Sequence, residues 1–324
     1  LPHFPVPKTF KTQDDYLEHL TREGASRRYD TMTAEIEERI AFELFTIKTM
    51  GFAGYFLIVS DFIKAGRDLG VFIGPGRGSA AGSVVAYCIG ITNVDPIRYD
   101  LLFERFLNPD RVSLPDIDID FDDRGRDKVI QYVIDKYGSS QVAQIITYGS
   151  MAAKSSIKDT ARVLDLSFAD ADKMTKSMPD GKSLLEVLTL DDKKLRESLR
   201  QEDYTKALEL RRMAEEPGTM EALRQAQVLE GSLRNTGIHA CGVIITPTDI
   251  RELIPVATAK DSAMWCTQFD NAVVESAGLL KMDFLGLKTL TLLKDAVELI
   301  QKRHGIALDL ETIPIDDVAT YALF

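Results

Sequence analysis

The spacing of apolar residues predicts helices in the first quarter of the chain. Ile36, Ile40 and Ile47 recur at helical spacing, and Thr33 precedes them as a residue suited to an N-cap. We therefore expect one helix from Thr33 to about Met50. By the same criteria, further helices are expected at about 55–69, 79–89, 126–137 and 287–304.

Apolar and polar residues alternate, or form short apolar runs, at four places that we interpret as strands. They lie at about 114–121, 142–147, 240–246 and 278–284. Residues 151–231 have helical spacing, many charges and no strand pattern. This order predicts an α/β protein of the α+β type, with a mixed sheet interrupted by a helical insertion. Two unrelated domains in series are the alternative.

The first predicted strand contains an unusual row of acids. Within Pro115–Phe121, apolar residues alternate with Asp116, Asp118 and Asp120, so the three carboxylates share one face. Like charges this close repel each other, and a divalent ion with oxygen ligands, such as Mg²⁺, would stabilise them. A solvated strand face is one alternative. A calcium loop is another, but its sixth position requires Gly where this segment has Phe121.

The last predicted strand can supply a further carboxylate. Sites that hold two metal ions and transfer nucleotidyl groups use bridging carboxylates from neighbouring strands. In Gly278–Gly286, Lys281 and Asp283 share the polar face of an otherwise apolar segment. An Asp in such a strand is costly unless a cation accompanies it. The alternative is a structural ion pair between Lys281 and Asp283.

A glycine-rich turn follows the short β-type segment at 71–73. Gly76, Arg77, Gly78 and Ser79 offer backbone N–H groups, a guanidinium and a hydroxyl, which suit phosphate. The turn lacks the Gly-Lys-Ser/Thr of a P-loop but fits the loose dinucleotide pattern. An oxidoreductase is therefore a rival, and it requires an acid on a strand about 20 residues later. A purely structural role, as a tight turn whose small residues allow close helix packing, is the remaining alternative.

The net charge of −11 argues against nucleic-acid binding, but one segment differs from this average. Lys154, Lys158 and Arg162 recur every four residues, so they fall on one helix face. Residues 149–164 contain one acid, Asp159, against these three bases. Such a stripe suits a nucleic-acid backbone, and a solvated helix face is the alternative.

Two isolated residues and the remaining composition add little. Arg105 is a candidate phosphate ligand or a partner of Glu104, and His239 is expected to be a packed histidine. The cysteines have no C-x-x-C spacing, and no apolar run reaches the roughly 18 residues of a membrane span. We therefore expect a cytoplasmic protein without membrane contact. We interpret the chain as a piece of a longer one.

Five ordered motifs resemble the C-family replicative DNA polymerases, the alpha subunits of bacterial DNA polymerase III. They are Gly74–Ser79, Phe103–Pro109, Pro115–Phe121, Ile145–Lys154 and Lys281–Gly286. The resemblance implies a palm of the polymerase-beta-like nucleotidyltransferase type, interrupted by an all-helical thumb. It places the palm at 1–147 and 238–290, the thumb at 148–237 and the start of the fingers at 291–324.

The resemblance also implies roles for the candidate residues. The catalytic aspartates that bind two Mg²⁺ ions would be Asp116, Asp118 and Asp283. The remaining assignments would be phosphate contacts from the glycine turn, Arg105 and Lys281, and DNA contacts from the stripe of Lys154, Lys158 and Arg162. The implied reaction is template-directed transfer from dNTP to a primer 3′-hydroxyl in chromosome replication.

The implied partners are primer-template DNA, dNTP, the remaining polymerase domains and replisome subunits such as the sliding clamp. The fragment alone is expected to be inactive. Another nucleotidyltransferase that uses two metals stays the nearer alternative, ahead of the dinucleotide-binding oxidoreductase.

Overall fold

The computed structural model describes residues 2–110, 115–260, 262–314 and 316–324. The chain divides into two compact units. One comprises Leu1–Ile146 together with Ile238–Phe324, and the other is Thr147–Gly237. The chain enters the second unit within strand β2 (Val142–Ser150) and leaves it within strand β3 (Leu233–Ile245).

Three helices begin the first unit: α1 (Gln13–Arg28), α2 (Ala34–Met50) and α3 (Ala53–Asp68). Helix α2 confirms the prediction, because the Thr33 hydroxyl accepts the Ile36 N–H at its start. Helix α1 was not predicted, although a capping box marks its beginning. Most of α3 is buried, which makes it the central helix of this unit.

The helix predicted at 79–89 is wrong in its first half. Residues Gly78–Gly82 form a 3₁₀ turn, and only Val84–Cys88 form an α-helix, α4. Ser83 separates them in an extended conformation, and its hydroxyl accepts the Ala86 N–H as an N-cap. The cap interrupts the ladder of backbone hydrogen bonds, so a single helix cannot run through this residue.

In the described part of the chain, six strands form one sheet in the order β1-β6-β3-β2-β5-β4. The pairs β1–β6 and β2–β5 are parallel, whereas β3–β6 and β4–β5 are antiparallel. This mixed sheet, flanked by helices, confirms the predicted α+β class, whereas the finer assignment to a polymerase-beta-like palm stays a prediction. The bounds not yet given are β1 (Asp118–Asp122), β4 (Val256–Thr258), β5 (Trp265–Asp270) and β6 (Lys281–Leu287).

The strand boundaries differ from the sequence patterns. The predicted first strand began at 114, but Leu114 lies outside the described residues, and β1 begins only at Asp118. Strand β3 begins at Leu233, before the predicted start at 240. Strands β4 and β5 were missed because they are short and lack a clear alternation.

The core of the first unit lies under β1 and β6. Ile119 and Phe121 are buried, as their alternation with the acids predicts. The Phe284 ring lies between two other rings, with centroid distances of 4.7 Å to Phe62 and 5.6 Å to Phe121. Large aromatic side chains thus hold the two acid-bearing strands against α3. The later helices of this unit are α5 (Arg126–Tyr137), α12 (Lys288–His304) and α13 (Val318–Tyr321).

The second unit is mostly helical and has its own apolar core. Its six helices surround buried residues such as Ile157, Leu210 and Leu223. They are α6 (Ala153–Val163), α7 (Phe168–Lys176), α8 (Leu184–Thr189), α9 (Asp192–Glu197), α10 (Gln201–Glu215) and α11 (Pro217–Leu229).

Among the described residues, no single helix has the length and apolar composition that crossing a membrane requires. One pair, Ala34–Met50 with Ala53–Asp68, passes that test together but is bent by 110°.

Candidate metal and phosphate site

Three of the predicted aspartates converge at the start of the β1–β6 pair. The parallel register places Asp118 directly beside Asp283, and Asp116 lies two residues before β1 on the same face. Each offers a carboxylate oxygen, and these oxygens all lie within 4.8 Å of one another. The strand register therefore brings together residues that are more than 160 positions apart in sequence.

Asp283 is the most deeply placed member of this cluster, with 5% of its surface exposed. Its Oδ2 lies 2.7 Å from the Lys281 Nζ. Its Oδ1 is buried and has no hydrogen-bond partner among the described residues. A buried carboxylate oxygen without a partner is costly, and a hard divalent cation such as Mg²⁺ would satisfy it. The donor set and this oxygen therefore fit a Mg²⁺ site.

The charges around the cluster do not balance. Burial raises the pKa of Asp116, and the nearby carboxylates Asp283 and Asp118 raise it further against the opposing effect of Lys281. Burial is the largest single effect on the Lys281 ammonium and lowers its pKa, but the hydrogen bond to Asp283 and the charges of Asp283 and Asp116 together outweigh it, so the net pKa is raised. Lys281 therefore stays protonated beside the carboxylates, although one ammonium cannot neutralise three carboxylates.

The Arg77 side chain forms ion pairs with two carboxylates of the acidic row. Its Nη1 is 2.8 Å from the Asp118 Oδ2, and its Nε is 3.2 Å from the Asp120 Oδ1. Asp120, the third acid of the row, thus pairs with Arg77 and lies outside the cluster of three. With Asp120 and Arg77 included, four carboxylates face two cations, which leaves two formal negative charges.

The glycine turn lies beside the same strand. Gly78 has a φ of +67°, and a Cβ at this position would lie 3.7 Å from the Asp118 carboxylate. Gly76 has a φ of +98°, and a Cβ there would lie 2.7 Å from the Thr92 side chain, so the turn requires glycine. A groove of about 440 Å³ adjoins the turn. It is lined by Gly78, Ser79, Gly82, Leu101, Leu102 and Arg105.

This groove gathers three of the predicted phosphate ligands: Gly78, Ser79 and Arg105. Arg105 is exposed and forms no ion pair among the described residues, so its guanidinium is available to an anion. The acid-bearing strand that a dinucleotide enzyme requires is not there. Residues 92–95 have no regular secondary structure, and residues 96–100 form turns.

Several residues that the sequence did not single out hold the aspartates in place. The Ile117 N–H, between Asp116 and Asp118, donates to the buried Tyr55 hydroxyl at 3.1 Å. Arg126 donates to the carbonyl oxygens of Phe284 at 2.6 Å and Ala240 at 2.8 Å, which ties β6 to β3. Such contacts join residues distant in sequence and leave no local pattern.

Asp122 differs from the acids before it. Its side chain is fully buried, and its carboxylate accepts the N–H groups of Phe72 at 2.8 Å and Gly125 at 2.7 Å. It therefore anchors the segment before the glycine turn to the end of β1. An acid close in sequence to the metal cluster thus has a structural role.

His239 and Cys241 also lie near Asp283, each offering a ligand atom within 4.8 Å. The His239 Nδ1 accepts the Gly242 N–H at 2.8 Å, so this lone pair is used by the backbone of β3 itself. Burial raises the pKa of the Cys241 thiol to about 11, and the Asp283 charge adds to the shift. His239 is partly buried, and its assignment as a packed histidine stays a prediction.

The basic stripe lies on α6, in the second unit. The Lys154 Nζ pairs with Asp180 at 2.5 Å, and Arg162 pairs with Asp159 at 2.9 Å. Asp159 also forms an ion pair with Arg234, with 2.9 Å between the Asp159 Oδ2 and the Arg234 Nη1. Arg234 is a basic residue that the sequence did not single out. Lys158 is exposed and forms no ion pair within the described part of the chain.

Comparison with known proteins identifies the family. The protein-family model described as the bacterial DNA polymerase III alpha NTPase domain matches residues 15–286 of this chain. DNA polymerase III subunit alpha of Borreliella burgdorferi is 45% identical over 99% of this chain and 27% of the relative. Those of Aquifex aeolicus and Pseudomonas aeruginosa are 46% and 45% identical over the whole chain, covering 29% and 28% of the relatives.

This chain thus spans less than a third of the length of these relatives. The resemblance noted from the five motifs is confirmed over nearly the whole sequence. The dinucleotide-binding alternative has no support from these comparisons or from residues 92–100. The chain belongs to the family of the bacterial DNA polymerase III alpha NTPase domain.

Proposed function

We propose that this chain supplies the nucleotidyl-transfer site of a bacterial replicative DNA polymerase. In the proposed reaction, a primer 3′-hydroxyl attacks the α-phosphate of a dNTP selected by the template, and pyrophosphate leaves. The observation that carries the proposal is the convergence of Asp116, Asp118 and Asp283 beside a groove that suits phosphate. The names of the relatives, DNA polymerase III subunit alpha, agree with it.

The carboxylates of Asp116, Asp118 and Asp283 would hold two Mg²⁺ ions. When bound, such ions lower the pKa of the attacking hydroxyl and neutralise charge that develops on the phosphate oxygens. Asp283 is fixed by its ion pair with Lys281, which leaves its buried Oδ1 as the free ligand atom. The Asp283 carboxylate therefore need not reorient when a cation arrives, which favours tight placement of the reacting groups.

The groove residues would bind the triphosphate. The backbone N–H of Gly78 and the Ser79 hydroxyl supply donors on one wall, and the Arg105 guanidinium supplies donors on the other. Arg77 would exchange its carboxylate partners for phosphate oxygens when nucleotide and metal are present. Lys281, at the edge of the carboxylate cluster, would add positive charge near the transferred group.

The wider assignments are also part of the proposal. Primer-template DNA would follow the α6 stripe of Lys154, Lys158 and Arg162 through its phosphates, without reading sequence. The mixed-sheet unit would be the palm with the start of the fingers, and the helical unit would be the thumb. Further polymerase domains and replisome subunits such as the sliding clamp would complete a cytoplasmic assembly. We expect the chain alone to extend primers poorly.

The test uses the full-length polymerase that contains this chain. Asp118→Asn keeps the side-chain shape but removes the charge that Mg²⁺ requires, so primer extension should fall on the order of a thousandfold. Binding of primer-template, measured by fluorescence anisotropy, should persist. The matched control is Asp120→Asn, which changes the same residue type on the same strand outside the cluster. It should retain activity within about tenfold.

Extension by Asp118→Asn at a normal rate would contradict the proposal. So would equal losses in Asp118→Asn and Asp120→Asn, because the cluster of three would then have no special role.

A further inference from the structure

Glu43 is a fully buried carboxylate that lies outside the proposed metal site. Its Oε1 accepts the Arg39 Nε–H at 2.7 Å and the Val84 N–H at 3.0 Å. Its Oε2 accepts the Ser83 hydroxyl at 2.8 Å and the Val85 N–H at 3.0 Å. Both oxygens therefore receive two donors each, and three of the four come from the residues that follow the glycine turn.

Arg39 extends the same network to the other side of the groove. Its Nη2 donates to the Gly82 carbonyl oxygen at 2.8 Å and to the Leu101 carbonyl oxygen at 2.9 Å. Gly82 and Leu101 both line the groove beside Ser79 and Arg105. One guanidinium therefore joins the two chain segments that form its walls.

The two walls also touch each other closely. A Cβ on Gly82 would lie 2.6 Å from the Leu102 carbonyl oxygen, so any side chain at this position would force the segments apart. The separation of the walls at Gly82 is therefore narrowly defined, and the Arg39 guanidinium bonds to Gly82 and to Leu101, the residue before Leu102.

We propose that the Arg39–Glu43 pair is a positioning device that sets the width of this groove and thereby its affinity for the triphosphate of a nucleotide. The inference rests on the proposed function for the occupant of the groove. Neither side chain touches the nucleotide. Glu43 holds the Ser83–Val85 backbone, and Arg39 holds Gly82 against Leu101, so that Ser79 and Arg105 face one ligand from two sides.

Stability alone is a poor explanation of this pair. Removing two charges from water is costly, and well-packed apolar residues often replace a buried ion pair without loss of stability. Arg39 and Glu43 instead satisfy a defined set of backbone groups in two segments, which fixes a geometry that apolar side chains do not specify.

The decisive variant is Glu43→Gln in the full-length polymerase. The amide has one oxygen, so its NH₂ group would face two of the four donors, and the 83–85 backbone would shift. We expect KM for dNTP to rise on the order of tenfold. The kcat at saturating dNTP and the Kd for primer-template should change less than about threefold, because the metal cluster is untouched.

The matched control is Glu23→Gln. Glu23 pairs with Arg27 four residues later at 2.5 Å, but this pair is exposed on α1 and bonds to no groove residue. The control should leave KM for dNTP unchanged. A purely structural role for Glu43 would instead lower the melting temperature and reduce active enzyme, with the KM of the remaining enzyme unaltered.

A second variant keeps the test decisive if Glu43→Gln does not fold. Arg39→Lys keeps the positive charge beside Glu43 but lacks the guanidinium fork that reaches the Gly82 and Leu101 carbonyls together. KM for dNTP should rise several-fold in this variant. An unchanged KM in folded Glu43→Gln or folded Arg39→Lys would overturn the positioning role.

Failure of the proposed function has a different signature. If the unsubstituted full-length polymerase does not extend primers, amide hydrogen exchange without nucleotide still tests whether the Arg39–Glu43 pair holds the groove segments in place. Amides at 78–85 should then exchange faster in Glu43→Gln, whereas those of β1 should not. Equal exchange at 78–85 in both proteins would overturn the device itself.

Discussion

The carboxylate cluster and the basic stripe of α6 are two charged regions built in opposite ways. In the cluster, Asp116, Asp118 and Asp283 come from two segments that are far apart in sequence, and one Asp283 oxygen is buried without a hydrogen-bond partner among the described residues. In the stripe, the charges come from consecutive turns of one helix and project into solvent. The first arrangement holds three carboxylate oxygens within 4.8 Å of one another, whereas the second spreads its charges over residues 154–162.

The two regions share one property: the charged side chains of each form ion pairs with other side chains of the same chain. Arg77 pairs with Asp118, and Asp159 pairs with Arg162. A ligand must replace these partners in both cases. The surroundings decide the energy of the exchange: partly buried charges interact strongly, whereas exposed pairs contribute little and are screened by salt. We therefore expect substitutions in the cluster to alter chemistry and nucleotide binding, and substitutions in the stripe to alter DNA affinity in small steps.

Arg77→Gln should produce the largest change in this comparison. Without the guanidinium, Mg²⁺ no longer competes for the Asp118 oxygen, so Mg²⁺ should bind several-fold more tightly in the absence of nucleotide. KM for dNTP should rise on the order of tenfold, because a phosphate ligand is lost. Calorimetric Mg²⁺ titration and steady-state kinetics measure these opposite changes.

The control for this variant is Arg124→Gln, which removes an exposed arginine paired with Asp295 at 3.0 Å. It should leave both quantities unchanged. Weaker Mg²⁺ binding by Arg77→Gln would contradict the exchange of partners, since it would show that the guanidinium supports the metal site instead of competing for it.

The sequence predicted the cluster better than its surroundings. Alternation of acids with Ile117 and Ile119 defined one polar face, and an Asp in an apolar strand identified Asp283. Both patterns are local in sequence. Placing an unpaired carboxylate in an apolar strand costs free energy, so the acids are recognisable as unusual without a structure. The pairing of Asp120 with Arg77 and the burial of Asp122 depend on where other segments pack, and the alternation could not indicate either.

The same limit explains the errors in the fold. Thr33 predicted the start of α2 because an N-cap acts on its own neighbours. The helix predicted at 79–89 is interrupted because Ser83 and the two N–H groups after it bond to Glu43, about 40 residues earlier. The net charge of −11 does not reveal these local regions for a related reason, since it averages the cluster and the stripe, which have opposite signs.

Lys158→Ala tests the stripe and should have a moderate effect. Lys158 is the stripe residue without an ion pair among the described residues, so no counter-ion offsets its loss. In the full-length polymerase, the Kd for primer-template should rise several-fold, and the slope of log K against log salt should fall by about 1. The kcat at saturating DNA should not change.

Lys193→Ala is the matched control, because Lys193 is also an exposed lysine of the helical unit but lies on α9, away from the stripe. An equal loss of affinity in both variants would indicate a general effect of net charge. The stripe would then be a solvated helix face.

Asp159→Asn should produce the smallest change and the opposite sign. Asp159 pairs with Arg162 and Arg234, each at 2.9 Å, and is the one acid within residues 149–164. The amide frees both guanidinium groups for phosphate and removes one negative charge near the backbone of the DNA. Primer-template should therefore bind about two- to threefold more tightly at low salt, with the difference reduced at high salt. Anisotropy titrations at two salt concentrations measure it, and weaker binding would mean that Asp159 orients the two arginines instead of competing with DNA for them.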